Sequence, residues 1–207
     1  MAEADLSTVF ALAGDACITA EVHCGIKGVM LTASVPHRDA LSVRGLWAPP
    51  YASTDFLLEV RLRGETVPPS AYWWNGNECR RQGHLGELRV ESALVVAMEQ
   101  RCALLEFTVT NTGDAATRVP VQLVIRGGVD CVSFWEFAGP GSTEAALPWA
   151  DRARGWQVAA GDPGLLLKTR ADGELAVATS LPEPRWETMS GHWEARVPLA
   201  AGESLTC

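Results

Sequence analysis

Hydrophobic and polar residues alternate on both sides of a turn-rich loop within residues 103–126, ALLEFTVTNTGDAATRVPVQLVIR. Before the loop, Leu105, Phe107 and Val109 are separated by polar residues, and from Val119 onward the same period of two returns. This period is typical of half-buried strands. The Asn, Gly and Asp residues of the loop favour a turn. We therefore predict two antiparallel strands that form a hairpin here.

Shorter segments with the same alternation recur along most of the chain. From residue 56, for example, Leu58, Val60 and Leu62 alternate with charged residues. Nineteen glycines and twelve prolines interrupt these segments at short intervals, as expected for many short strands. No segment keeps a helical period beyond two turns. The pattern predicts an all-β fold, a large antiparallel two-sheet sandwich with roughly a dozen or more strands and almost no helix.

Two segments interrupt the alternation and are predicted to lie between strands. CGIKG (residues 24–28) reads as a glycine-flanked turn, and NGNECRRQGHLG (residues 75–86) reads as a polar loop after a strand that ends in Tyr-Trp-Trp. Glycine and asparagine are the residues that most often punctuate strands in this way.

Composition and charge narrow the class of protein. The chain has 207 residues, of which 47% are hydrophobic, which is enough for one large β-sandwich domain over residues 1–207. The net charge of −8 argues against nucleic acid and anionic membranes as partners. No apolar run is long enough to span a membrane, and acidic residues precede the short apolar stretch at the N-terminus, unlike in a signal peptide. We predict a cytoplasmic protein with reduced cysteines.

The segment from Tyr72 to His84, YWWNGNECRRQGH, is the strongest candidate for a binding site. Exposed tryptophan rings stack on the apolar faces of sugars, while amide, carboxylate and guanidinium groups bond the hydroxyls. Adjacent tryptophans of a strand point to opposite faces, so we expect one to be buried and the other exposed. The alternative is a core tryptophan beside a solvated charged face. The candidate ligand-binding residues are Trp73, Trp74, Asn77, Glu78, Arg80, Arg81 and His84.

Other aromatic segments are weaker candidates for a groove or a partner surface. They are FWEF (residues 134–137), the long irregular stretch of residues 139–155, and residues 186–193 with two tryptophans. No phosphate-binding loop, GxSxG or HExxH motif is present, and the histidines and cysteines do not show metal-ligand spacing. The sequence predicts no cofactor, no metal site and no catalytic residue.

Four motifs resemble a known family. They are GLWAPPY (residues 45–51), DFLLEVRLRGE (55–65), AYWWNGNECRRQG (71–83) and LLEFTVTNTGDAATRVPVQL (104–123). Together they are similar to the N-terminal β-supersandwich domain of bacterial (α/α)6-barrel glycoside hydrolases, the group of processing α-glucosidases, trehalases and glycogen-debranching-like enzymes. The resemblance implies a non-catalytic domain that packs on a helical-barrel catalytic domain and helps to shape its substrate cleft.

Three functional hypotheses remain open at this point. The chain is the accessory sandwich of a glycoside hydrolase, or a stand-alone carbohydrate-binding module or small subunit, or a sandwich enzyme such as a lyase, isomerase or epimerase. The last residues, LAAGESLTC, read as a turn followed by a strand that has only begun at Ser204. We therefore expect an N-terminal part of a longer protein or a subunit completed by a partner.

Overall fold

A computed structural model describes residues 10–13, 24–27, 32–35, 39–48, 51–131, 157–161, 164–168, 174–181, 185–187 and 192–207. These residues form sixteen strands and no helix, which confirms the predicted all-β class. The strands are β1 (Phe10–Ala13), β2 (Cys24–Lys27), β3 (Thr32–Val35), β4 (Ser42–Ala48), β5 (Tyr51–Leu62), β6 (Pro69–Trp74), β7 (Glu78–Leu85), β8 (Leu88–Val96), β9 (Ala103–Asn111), β10 (Thr117–Cys131), β11 (Gln157–Gly161), β12 (Gly164–Lys168), β13 (Glu174–Ala178), β14 (Arg185–Glu187), β15 (His192–Leu199) and β16 (Ser204–Thr206).

Two antiparallel sheets pack face to face, as the sandwich prediction requires. The first has six strands in the order β1-β6-β7-β8-β9-β16, and the second has seven in the order β14-β15-β10-β5-β4-β3-β2. A separate three-stranded sheet contains β11, β12 and β13. The main core cluster takes residues from both large sheets, including Val90 and Val109 from the first and Val60, Val121 and Val197 from the second. The alternation of the sequence therefore marks the inner faces of a sandwich.

The predicted hairpin of residues 103–126 is wrong in its pairing, although both strands exist. β9 pairs with β8 and β16 in the six-stranded sheet, whereas β10 pairs with β5 and β15 in the other sheet. Residues 112–116, which are mostly exposed, therefore carry the chain from one sheet to the other. An alternating pattern indicates which face of a strand is buried. The pattern is the same whether the next strand pairs with the first in one sheet or packs on it from the opposite sheet, so it does not determine the pairing.

Two segments predicted to be turns or loops are strands. Residues 24–27 form β2, which pairs with β3, and most of the polar segment 75–86 forms β7, which pairs with β6 and β8. β7 was missed because its outward side chains are polar and its inward ones include Arg81 and Gly83, so it shows no run of alternating large apolar residues. Only residues 75–77 connect β6 to β7.

Gly83 lets β7 approach the connection between β5 and β6. A Cβ at this position would lie 2.5 Å from the carbonyl oxygen of Pro68 and 2.8 Å from Cγ1 of Val67. These distances are shorter than van der Waals contact, and one of the two atoms belongs to the backbone. We therefore expect Gly83→Ala to lower the free energy of unfolding by about 2 kcal/mol, measured by urea denaturation.

The matched control for this prediction is Gly113→Ala. The Cβ of that variant would meet only the carboxylate end of Glu87, with the nearest oxygen at 2.6 Å. Because this side chain is exposed, it can move away at little cost. Equal losses of stability in the two variants would contradict the close packing of β7 against Pro68.

Candidate functional site

Four strands of the six-stranded sheet, β6 to β9, carry a row of side chains on the face that points away from the second sheet. In the pairing register Trp73 lies opposite Arg80, Arg80 opposite Ala93, and Ala93 opposite Glu106. Directly paired residues of antiparallel strands point to the same face. The sequence neighbours of this row on β7 and β8 are buried in the sandwich, so the row itself faces outward.

Two further rows extend this outer face on either side. One row is polar, and the other combines a carboxylate with two aliphatic side chains. Pairing across β7, β8 and β9 places their members opposite one another. The polar row contains Gln82, Glu91 and Thr108, and the mixed row contains Glu78, Val95 and Leu104.

These three rows line an open groove of about 860 Å³. Its lining includes Trp73 and Arg80 at one end, Ala93 in the middle and Glu106 at the other end. Because Ala93 has only a methyl group while the residues around it are longer, it provides a low floor at the centre of the sheet face. The groove runs across the strands, and neighbouring strands are about 4.8 Å apart, so it spans about 14 Å from Trp73 to Glu106.

The polar side chains of the groove are partly held by hydrogen bonds. Nε of Arg80 donates to Oε1 of Glu78 at 2.5 Å, and this bond raises the pKa of the Arg80 guanidinium. Nε2 of Gln82 donates to Oε1 of Glu91 at 3.2 Å. Glu106 is exposed and makes no hydrogen bond or ion pair with another residue of the described part of the chain. The groove thus offers both fixed and free acceptor oxygens.

The two adjacent tryptophans point to opposite sides of the sheet, as expected from their positions in one strand. Trp74 pairs with Cys79 and packs against the second core cluster, which contains Tyr72, Cys79 and Leu94. Trp73 pairs with Arg80 on the outer face, and both tryptophans contribute atoms to the lining of the groove. Both rings are half-buried. Of the two, Trp73 is the one whose position allows it to stack on a ligand in the groove.

The remaining predicted site residues fall into two groups. Glu78 and Arg80 line the groove with Trp73. His84 is exposed on the same face of β7, but it pairs with Arg89, beyond the groove. Asn77 lies in the connection between β6 and β7, where its carbonyl oxygen accepts a hydrogen bond from the amide of Val96. The structure does not bring Asn77 or His84 to the groove.

Arg81 belongs to the core of the sandwich, which corrects the prediction that it joins Arg80 at a ligand surface. Its side chain is fully buried, and Nη1 donates to the carbonyl oxygens of Asp39 at 2.9 Å and Ser42 at 2.7 Å. Burial lowers the pKa of Arg81, and burial also raises the pKa of Asp39, whose carboxylate accepts a hydrogen bond from the amide of Leu41. Two neighbouring arginines of one strand therefore have separate roles.

Seven residues of the three groove rows were missing from the sequence prediction. Those on β8 and β9 lie between the apolar positions of the alternating pattern, while Gln82 lies in the segment predicted to be a loop. Their proximity to Trp73 follows from the pairing of β7 with β8 and of β8 with β9, which one sequence does not reveal. These residues are Gln82, Glu91, Ala93, Val95, Leu104, Glu106 and Thr108.

Two further properties of the described residues concern clusters of metal-ligating side chains and long apolar helices. They contain no group of three or more His, Cys, Asp or Glu side chains placed to hold a metal ion. Among the same residues, no helix has the length and apolarity needed to cross a membrane.

No model of a known protein family matches this sequence, and no curated protein matches it significantly. The groove therefore has to be interpreted from its own side chains. The weaker candidates at residues 134–137 and 139–155 lie outside the described residues. At residues 186 and 193 the two tryptophans are opposite each other in the pairing of β14 with β15.

Proposed function

We propose that this chain is a non-catalytic module that binds carbohydrate in the outer groove of β6 to β9, as an accessory part of a carbohydrate-active enzyme. The observation that carries the proposal is the position of Trp73 at one end of an open groove of about 860 Å³ whose lining combines several polar side chains with the aliphatic Ala93, Val95 and Leu104. The resemblance of four sequence motifs to the sandwich domain of barrel glycoside hydrolases points to the same class of partner enzyme.

The chemistry of the groove suits a sugar better than an apolar ligand or a peptide. A pyranose ring has an apolar face, which stacks on an aromatic ring, and hydroxyl groups around its rim, which need hydrogen-bond partners. Trp73 supplies the ring, and Arg80, Gln82 and Glu106 supply donors and acceptors along the same face. Because the groove is open at the sheet surface, it suits a stretch of an oligosaccharide that continues beyond the site.

Replacing Trp73 by alanine is expected to weaken binding of a neutral oligosaccharide by about tenfold, because the stacked ring contributes most of the apolar contact. Ala93→Leu should weaken binding as well, since the larger side chain fills the floor of the groove. Binding is measured by isothermal titration calorimetry with cello-, malto- and chito-oligosaccharides, and circular dichroism checks that the variants remain folded.

His84→Ala is the matched control, because His84 lies on the same face of β7 but outside the groove. Its affinity for the oligosaccharide should equal that of the unmodified chain. An unmodified chain that binds neither these neutral oligosaccharides nor a charged one, or a Trp73→Ala variant with full affinity, would contradict the proposed function.

A second candidate function is that this face packs on a catalytic domain. Leu104, the second residue of β9, lies on the outer face beside Val95, and 64% of its surface is exposed. These two side chains form an apolar part of the face that a partner domain could cover. Under this alternative the isolated chain has no affinity for oligosaccharides. The titration described above therefore separates the two functions.

A further inference from the structure

The charges in the groove are strongly unequal, and this bears on the kind of glycan that it accepts. Among the described residues, the carboxylates of Glu78, Glu91 and Glu106 line it, together with the guanidinium of Arg80. The neighbouring guanidinium of Arg81 points to the other side of the sheet, where it is fully buried between the two sheets. It is thus separated from the groove by the backbone of β7.

Arg80, the cation on the outer face among the described groove residues, is already paired. It donates to Glu78 at 2.5 Å, so these two charges largely cancel for a ligand in the groove. Within the described part of the chain, the side chain of Glu91 is bonded by the neutral amide of Gln82, and the side chain of Glu106 forms no ion pair. Neither of these two carboxylates is therefore paired with a cation of the described residues.

The two uncompensated carboxylates lie close together on the outer face. Glu91 is directly opposite Thr108 on β9, and Glu106 is two residues away from Thr108 on the same strand. Such diagonal neighbours on paired strands are about 7–8 Å apart. Both side chains can approach a single positively charged group that lies over Ala93, which is the low point of the groove.

We infer that the groove selects glycans that carry protonated amino groups over neutral glycans and rejects glycans that carry carboxylates. This inference rests on the proposed carbohydrate-binding function and names its ligand class. A sugar ammonium group would donate charge-assisted hydrogen bonds to Glu91 and Glu106 while its ring stacks toward Trp73. A uronate would place a third uncompensated negative charge at the same point.

Three oligosaccharides of equal length test this selection by calorimetry at a mildly acidic pH, where the amines are charged. They are a glucosamine oligomer, its neutral N-acetylated counterpart and a uronate oligomer. In about 20 mM NaCl, where screening is weak, the amine should bind about fivefold more tightly than the neutral oligomer for each carboxylate that it contacts. The uronate should not bind measurably. In about 500 mM NaCl the preference should fall severalfold.

The variant Glu106→Gln should lower the ratio of amine affinity to neutral affinity about fivefold. The ratio is the readout because Glu106 also belongs to the groove that binds the neutral oligomer. Glu65→Gln is the matched control: it makes the same change of net charge at an exposed position in the turn after β5, away from the groove. This control should keep the full preference, which separates a local contact from the effect of overall charge.

The possible outcomes distinguish this inference from the proposed function. Equal affinity for the amine and neutral oligomers, or tighter binding of the uronate, would overturn the charge selection and leave carbohydrate binding in place. Loss of preference in Glu65→Gln to the same extent as in Glu106→Gln would also overturn it. Failure of all three oligomers to bind would overturn both proposals.

Discussion

Replacing Asn111 by aspartate is expected to lower the free energy of unfolding by about 3 kcal/mol, although the two side chains have nearly the same shape. Asn111 is fully buried at the end of β9. Its Nδ2 donates to the carbonyl oxygens of Ala115 at 2.8 Å, Ala200 at 3.1 Å and Leu199 at 3.3 Å. An aspartate would place a carboxylate oxygen against these three carbonyl oxygens, in a site where water cannot solvate it.

The large effect follows from the position of Asn111 in the fold. Its side chain joins the connection between the two sheets, residues 112–116, to the end of β15 and the turn before β16. Its Oδ1 also accepts a hydrogen bond from the amide of Gly113 at 3.1 Å. One side chain therefore fixes the crossing from sheet to sheet and the start of the last strand.

Urea denaturation of Asn111→Asp is compared with that of Asn75→Asp as a matched control. Asn75 is partly exposed, and its Oδ1 accepts a hydrogen bond from the amide of Glu78 at 2.9 Å, a bond that a carboxylate can also accept. The free energy of unfolding of the control should fall by no more than about 0.5 kcal/mol. An equally small decrease for Asn111→Asp would contradict the hydrogen-bond network described for Asn111.

Replacing Arg81 by alanine is expected to lower the free energy of unfolding by about 3 kcal/mol. The change leaves a cavity between the sheets and removes the donor from the carbonyl oxygens of Asp39 and Ser42. Arg81→Met should have a smaller effect and lower the free energy of unfolding by about 1 kcal/mol. Methionine fills most of the volume, and it removes a buried charge whose Nε and Nη2 have no hydrogen-bond partner in the described structure.

Arg80→Ala is the control for this comparison, because Arg80 is the sequence neighbour of Arg81 but is exposed on the outer face. Its ion pair with Glu78 lies at the surface, so Arg80→Ala should lower the free energy of unfolding by less than about 1 kcal/mol. Equal stabilities of Arg80→Ala and Arg81→Ala in chemical denaturation would show that Arg81 is not a core residue.

The alternation of the sequence predicted the fold class because a two-sheet sandwich imposes it directly. Most inner-face residues of β8 and β9, such as Val90 and Val109, are apolar because they pack against the second sheet. The strands of residues 103–126 were therefore recognisable. The strands with which they pair could not be predicted, because the alternating pattern is the same whether the second strand lies beside the first or in the opposite sheet.

The prediction failed at β7, where the physical reason is a buried charge. Arg81 occupies an inner-face position, where its Nη1 donates to backbone carbonyls of a distant segment, so the strand resembles a polar loop in the sequence. The same feature explains why Arg81 was grouped with Arg80 as a ligand-binding residue. The hydrogen bonds from Arg81 to the carbonyl oxygens of Asp39 and Ser42 depend on the tertiary fold. No local sequence pattern therefore indicates them.

The candidate site was predictable in part. Trp73, Glu78 and Arg80 belong to one segment, and their residue types alone suggested sugar recognition. Glu106 joins them from a strand that lies more than twenty positions later in the sequence, so only the order of β6, β7, β8 and β9 places it in the groove. The acidic character of the groove therefore became visible only with the sheet topology.

The most direct test of carbohydrate binding at this groove is a map of amide chemical-shift changes in the nuclear magnetic resonance spectrum of the chain during titration with a chito-oligosaccharide. Our account predicts that the changes concentrate on the outer face of β6 to β9, at Trp73, Arg80, Ala93 and Glu106, and on the indole N–H of Trp73. The absence of changes, or changes confined to other strands, would contradict it.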